Sequence, residues 1–373
     1  MSRVVKFESW VCRKPGGEKP GGLPDQYASF GDQVILVKLT TDDGVEGIST
    51  VIAATGTAIP RANLDDVIAP VVLGREVHDR EAIWQDLYLL NRRFGFFPMY
   101  LPGPVDVALW DIAAKEANLP LFKYLGAYRD AVPAYASGQF MPEVGDYVRE
   151  ALHYQSIGVP GYKIHPSGDW RNHIRIAEAV RDAVPEMVLM LDPALSDYTL
   201  TNAMTIGRQL ERLNFYWFEE PFHDIYIGKY VELTRALDIS ICATEASYGG
   251  PAGVAEFIRC GAADIVRADV SWKWGVTGSI KTLHLAEAFG LNCELHTTCM
   301  GPTDIANLHV ACAAKNCEFF ELFAPHDKWT FPMLDSFDLD EHGLLHVPTT
   351  PGIGVKIDWD VVDEGTLVKH ELR

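Results

Sequence analysis

The sequence predicts an α/β protein: a (β/α)8-type barrel preceded by an α+β region. Two observations carry that expectation. From about residue 130 onward, eight short apolar runs alternate with stretches of helical periodicity, the pattern of parallel β/α units. Three of those runs, MVLMLDP, FYWFEEP and ISICATE, lead straight into a carboxylate, at Asp192, Glu219 and Glu245, with separations of 27 and 26 residues. Eight units over about 200 residues fit a closed barrel better than an open doubly wound sheet. No G-x-G-x-x-G or G-x-x-x-x-G-K-[ST] fingerprint points to a nucleotide fold.

Taken in chain order, VVKFESWVCR and DQVILVKLTTDDGVEGIST read as antiparallel strands, with Asp43-Gly44 as a hairpin turn. Between them, KPGGEKPGGLP (Lys14–Pro24) reads as an irregular loop, either a surface linker or a lid over the barrel mouth. Helical patterns follow at NLDDVIAPVVLG, DREAIWQDLYLLNRR and VDVALWDIAAKEA. The barrel runs are AVPAYASG, VPGYKIH, MVLMLDP, FYWFEEP, ISICATEA, ADIVRADV, LNCELHTT and CEFFELF. Amphipathic segments such as NHIRIAEAVRDAV and NAMTIGRQLERL separate them.

The chain of 373 residues is long enough for a large core, and 48% hydrophobic with 22% charged residues is ordinary globular composition. A formal charge of −19 argues against nucleic acid or an anionic membrane as partner. Seven scattered cysteines without a C-x-x-C pair fit reduced thiols. Cys242, Cys260, Cys293 and Cys312 lie in apolar runs and read as small buried hydrophobes. No stretch approaches 18 uncharged apolar residues, and MSRVVKFESW has no apolar signal core, so the expectation is a cytoplasmic protein.

Catalytic groups in such a barrel sit at the C-terminal ends of the strands. In order, those ends carry Lys163 and His165, Asp192, Glu219, Glu245, Asp269, His296 and Glu321. A buried strand ending in an acid is costly unless the charge is neutralised. Three such acids on successive strands suit one Mg²⁺, because their oxygens are hard ligands and no Cys or His falls among them. Glu219 shares a face with Phe215 and Trp217, whereas Glu220 points away as a supporting or helix-side group. Asp269 and His296 end successive strands, so a carboxylate can hold the imidazole in one tautomer. Lys163 and His165, two apart, share a face. There the lysine is expected to lose basicity to positive charge and desolvation. A base on either side of a metal serves proton removal beside a carboxylate.

These residues resemble the enolase superfamily in its mandelate racemase-like subgroup. VDVALWDIAAKEANLPLFKYLG, GYKIH, FEEP, ATEA, RADVSWKWGVTG and CELHTT fall in family order and spacing across nearly the whole chain. The resemblance implies an α+β capping domain from residues 1–125, a barrel from 126–354, and a tail, 355–373, returning to the cap. It implies one Mg²⁺ on Asp192, Glu219 and Glu245, a His296–Asp269 dyad, a second-strand acid/base motif at Lys163 and His165, and Glu321 near the substrate carboxylate. It also implies a homo-oligomer. Four positions depart from the pattern. The usual Lys-x-Lys is Lys163-x-His165, the usual Asn is Ala194, Gly-Glu is Thr244-Glu245, and Gly-Gly is Trp274-Gly275. Which of Lys163 and His165 exchanges protons is open. Trp272 and Trp274 either narrow the pocket or pack against the following helix, with packing the favoured reading.

The expected activity is an Mg²⁺-dependent acid-sugar dehydratase, with a small carboxylate as substrate and a 2-keto-3-deoxy acid as product. A racemase, epimerase or cycloisomerase would use the same enediolate chemistry. A Schiff-base aldolase through Lys163 would leave the three acids without a purpose. A non-catalytic sugar-acid-binding protein would not need both the acids and the dyad.

Overall fold

The computed structural model describes residues 2–15, 33–52, 56–95, 97–194, 196–297, 301–325, 330–335 and 339–373. Most of the Lys14–Pro24 loop therefore lies outside the described residues, and with it the choice between linker and lid.

Three long strands open the chain: β1 (Val4–Arg13), β2 (Gln33–Thr41) and β3 (Glu46–Ile52). Eight short ones follow: β4 (Ala131–Ser137), β5 (Gly161–Ile164), β6 (Val188–Leu191), β7 (Trp217–Glu219), β8 (Ser240–Ala243), β9 (Ile265–Ala268), β10 (Asn292–Leu295) and β11 (Phe320–Phe323). The last two are β12 (Leu344–His346) and β13 (Thr366–Leu372).

The short strands lie parallel in sequence order, and β11 pairs with β4 to close the barrel. Helices cover their outer faces and side chains fill the inside, so β5, β6 and β8 through β10 are buried almost throughout without alternation. Gly161 illustrates the interior fit: a Cβ there would come within 2.9 Å of the Tyr135 Cβ. The lower interior is filled by Tyr135, Met190, Trp217, Cys242 and Ile265. Phe215, expected on the Glu219 face, lies two residues before β7 and packs in the large barrel cluster, beside Arg181.

The cap is an antiparallel sheet in the order β13-β1-β2-β3. The β2–β3 hairpin turns at Asp43-Gly44, where Gly44 takes a φ of +85° that side chains disfavour. Helix Pro102–Glu116, buried over most of its length, joins cap to barrel. Its Asp106 accepts from the Thr277 N–H at 2.9 Å and hydroxyl at 2.7 Å. A Cβ at Gly103 would stand 2.1 Å from the Val270 carbonyl oxygen, so only glycine lets this helix reach the end of β9. Cys242, Cys293 and Cys312 are buried as expected, but Cys260 is partly exposed at a helix end. Among the described residues no helix is long and apolar enough to cross a membrane.

A buried histidine sets one pH dependence. His309, fully buried, accepts the Phe122 N–H at Nδ1 and donates from Nε2 to the Ile353 carbonyl, both at 3.0 Å. Burial lowers its pKa to about 4, and a second ring proton would face a donor. The unfolded chain therefore binds the extra proton first, and stability falls as pH drops from the ordinary histidine range towards 4. The full loss is about 3 kcal/mol. Denaturant midpoints of wild type and His309→Gln, compared at pH 7 and pH 4.5, should show the wild type losing more on acidification.

Candidate active site

The ends of β6, β7 and β8 bring Asp192, Glu219 and Glu245 together, with one carboxylate oxygen from each within 4.8 Å of the others. Each follows a buried apolar run, so parallel pairing alone fixes their common height. Below them, Lys163 lies 3.4 Å from Asp192, 3.3 Å from Glu219 and 2.8 Å from Glu321. Arg267 on β9 contacts Glu219 at 3.0 Å and Glu321 at 2.5 Å, and donates to the Tyr135 hydroxyl at 2.9 Å. Lys163, Arg267 and Glu219 are fully buried, and Glu321 nearly so.

Three carboxylates, Asp192, Glu219 and Glu321, thus meet two cations, and Glu245 completes the triad beside His296. The donor set is all oxygen. By the chemistry of its donors the triad fits Mg²⁺.

Two sequence expectations change here. Burial alone would lower the Lys163 pKa, but Glu219 and Glu321 more than offset it, and the pKa is raised well above the lysine range. The same contacts hold the Glu321 carboxyl well below its usual range despite burial, through Lys163 and Arg267. Glu321 is therefore a counter-ion beneath the mouth. It also accepts the N–H of buried Thr297 at 3.3 Å.

The two imidazoles touch opposite members of the triad. His165 donates from Nδ1 to the Gly138 carbonyl at 2.6 Å, which leaves Nε2 against Asp192 at 3.1 Å. His296 is held at Nδ1 by Asp269 at 2.8 Å, and its Nε2 lies 3.3 Å from Glu245. Burial opposes the charged form of each, yet both pKa values rise: His165 through Asp192, and His296, to about 9, through Glu245, Glu321 and Asp269. Asp192 is lowered in turn, its burial outweighed by His165 and Lys163. Glu245 moves up, through burial and through Glu219 and Asp192, against His296 and Arg267.

Residues one step further out hold the triad. Glu220 accepts the Glu245 N–H at 2.6 Å, which makes it the supporting group the sequence suggested. Buried Lys273 donates to the Glu245 carbonyl and the Ser247 hydroxyl, both at 3.0 Å, and to the Thr244 carbonyl. Neither Arg267 nor Lys273 was singled out in the sequence. A charged residue inside the run IVRA, two before Asp269, is a readable signal for the first.

Beside the triad a cavity of about 930 Å³ opens between the barrel mouth and the cap. Ala194, Glu220 and Ala246, each one or two residues past a triad acid, are among its lining residues. Trp272 and Trp274 both line it, as the alternative to packing against the next helix had it. Trp274 replaces the expected glycine at a φ of +64°, a conformation that costs a side-chain-bearing residue about 1–2 kcal/mol. Contacts with Trp84, Tyr88 and Phe97, and a 2.9 Å hydrogen bond from the Trp84 indole to its carbonyl, hold it there.

Comparison with known proteins agrees with this architecture. Residues 146–361 match the enolase C-terminal domain-like family, and residues 28–126 match the mandelate racemase / muconate lactonizing enzyme N-terminal domain. Arabinonate dehydratase of Saccharolobus solfataricus is 30% identical, over 89% of this chain and 90% of that protein. D-galactarolactone cycloisomerase of Agrobacterium fabrum is 27% identical, over 88% and 90%. The crystal structure of D-glucarate dehydratase from Agrobacterium tumefaciens complexed with magnesium superposes with a TM-score of 0.87 at 31% identity, covering 98% of this chain and 99% of that one. The chain belongs to the enolase superfamily, in its mandelate racemase-like subgroup, and is an enzyme of that superfamily.

Proposed function

We propose that the protein is an Mg²⁺-dependent dehydratase of a sugar acid. The observation that carries this reading is the pair of imidazoles set against opposite ends of the acidic triad. A substrate carboxylate and its α-hydroxyl would be held at the triad, where a bound cation supplies charge stabilisation to the enolised acid. His165 takes the proton from the α-carbon. His296 gives a proton to the β-hydroxyl, which departs as water, and the C–O electron pair leaves with it. The enol then becomes the 2-keto-3-deoxy acid, so the net change is loss of one water. His165 fills the second-strand role because Lys163 is sealed beneath it, with its charge matched by three carboxylates. The same seal gives a carbonyl substrate no approach for a Schiff base. The dehydratase relatives support elimination over other outcomes.

Racemisation, epimerisation or cycloisomerisation is the second reading, favoured by the two-sided imidazoles and by the cycloisomerase relative. Incubation with mono- and dicarboxylic sugar acids and Mg²⁺ in D₂O separates the two. Formation of a 2-keto acid is expected; deuterium entering the α-carbon without loss of water would overturn the dehydratase reading. Removing Mg²⁺ should abolish turnover. Restoring it at about 100 times its Kd should stabilise the fold by about 2.7 kcal/mol, readable as a rise in Tm.

A further inference from the structure

The run DIANLHVACA puts an asparagine inside helix Pro302–Ala313, which is buried from Pro302 to Cys312. Asparagine is a poor helix former, and a buried carboxamide is costly unless its donors and its acceptor are used. Asn307, with no exposure to water, uses them on two strand ends. Its Oδ1 accepts the Val270 N–H and its Nδ2 donates to the His296 carbonyl, each at 3.0 Å. A peptide N–H only donates and a carbonyl only accepts, so these partners fix which way the amide faces.

β9 and β10 pair in parallel with Ala268 opposite Leu295, and the His296 N–H donates to the Ala268 carbonyl at 2.8 Å. The next rung of that ladder would run from the Val270 N–H to the His296 carbonyl. Asn307 stands in that rung. Its carboxamide, donor and acceptor together, replaces the direct bond and parts the two strand ends by the width of an amide. The parting falls where Asp269 and His296 leave the ends of β9 and β10, and the 2.8 Å bond between their side chains spans it.

Both sides of this wedge are fixed. The Val270 carbonyl accepts the Gly275 N–H at 2.7 Å, which ties the end of β9 to its own loop. One helical turn before Asn307, the Thr303 hydroxyl donates to the Thr50 carbonyl at 2.7 Å and accepts the Thr50 N–H at 2.8 Å. It meets the edge of the cap sheet as a neighbouring strand would. The amide is thus carried by a helix bound to the cap, not by the strands it separates.

We infer that Asn307 is a positioning residue for the dyad: its carboxamide spaces the ends of β9 and β10 and so sets the hydrogen bond by which Asp269 holds His296. Its effect on turnover rests on the reading of His296 as a proton donor; the spacing itself does not.

Asn307→Leu roughly keeps the volume and removes both bonds. Its kcat is expected to fall by about 10–100-fold, the scale of a misplaced catalytic group, with KM changed by less than about threefold. Among the described residues the Asn307 side chain bonds Val270, His296 and Asp304, none of them a triad acid, so the Mg²⁺-induced rise in Tm should persist. A second readout needs no turnover. In protein labelled with ¹⁵N-histidine, the His296 Nδ1–H is expected as a downfield proton resonance, assigned by its loss in His296→Asn. It should move or vanish in Asn307→Leu. Should the leucine variant fail to fold, Asn307→Ser, too short to bridge both strand ends, is expected to move the resonance with a smaller loss of kcat. A folded variant with resonance and kcat both at wild-type values would overturn the positioning role. So would loss of the Mg²⁺-induced rise, which would place the effect of Asn307 at the metal ligands. A moved resonance with kcat unchanged, or with no acid turned over by the wild type, would leave the spacing standing and sink the dehydratase role given to His296.

Discussion

Arg267→Met is expected to destabilise the fold by about 3–5 kcal/mol, the usual cost of removing one partner from a buried ion cluster. The guanidinium reaches Glu219, Glu321 and the Tyr135 hydroxyl at once and has no exposure to water. Without it, Lys163 alone faces three buried carboxylates, Asp192, Glu219 and Glu321, and Tyr135 loses its donor. Arg267→Lys keeps the charge but not the planar fork, so it should fall between wild type and the methionine variant. The pH dependence gives a second check. Glu321 has a folded pKa well below its ordinary value, so its contribution is present above the ordinary carboxylate range and is lost as pH falls. Part of that contribution disappears with Arg267, and the gap between wild type and variant should narrow on acidification. Denaturant midpoints at pH 7 and pH 4 measure both effects. A loss below about 1 kcal/mol at pH 7 would mean that water or a rearranged Lys163 replaces the guanidinium at little cost.

The strand ends were legible in the sequence because a β/α unit repeats at nearly constant length, and an acid ending an apolar run is conspicuous. Asp192, Glu219, Glu245, Asp269 and His296 meet in the fold as that spacing required. The direction of the Lys163 shift was not legible. Its nearest partner, Glu321, lies 158 residues away and comes near only because β11 closes against β4, next to β5. Spacing along the chain gives which strand a residue ends, but not which charges sit across the barrel.

The aromatic cavity was hidden for a related reason. Its walls come from residues 84–100 of the cap and from the loops after β6, β7, β8 and β9. No local period joins them, and the Gly103 contact that brings the two parts together is visible only as backbone proximity. Trp274 was noticed as a departure from a glycine pair. Its role depends on Trp84, Tyr88 and Phe97, which nothing in its own neighbourhood announces.

His296→Asn should lower turnover by about 10²–10⁴-fold, the range that one positioned acid or base contributes. The substitution removes the group that Asp269 orients and leaves the triad intact, so the Mg²⁺-induced rise in Tm should persist. Loss of that rise would show that His296 supports the metal ligands, through its contact with Glu245, more than it moves protons. The fate of the α-proton then divides the two imidazoles. If His165 removes it and His296 only assists the leaving hydroxyl, the variant in D₂O should still exchange the α-proton while making little keto acid. A His165→Asn variant should lose both. Should His296→Asn lose exchange and elimination together, both proton transfers fall on one imidazole, and the elimination takes place on one face of the substrate. His165, tied to Gly138 and Asp192, would then be a positioning residue. Either result assigns the base by what happens to a single proton, which the ground-state distances of 3.1 and 3.3 Å leave evenly matched.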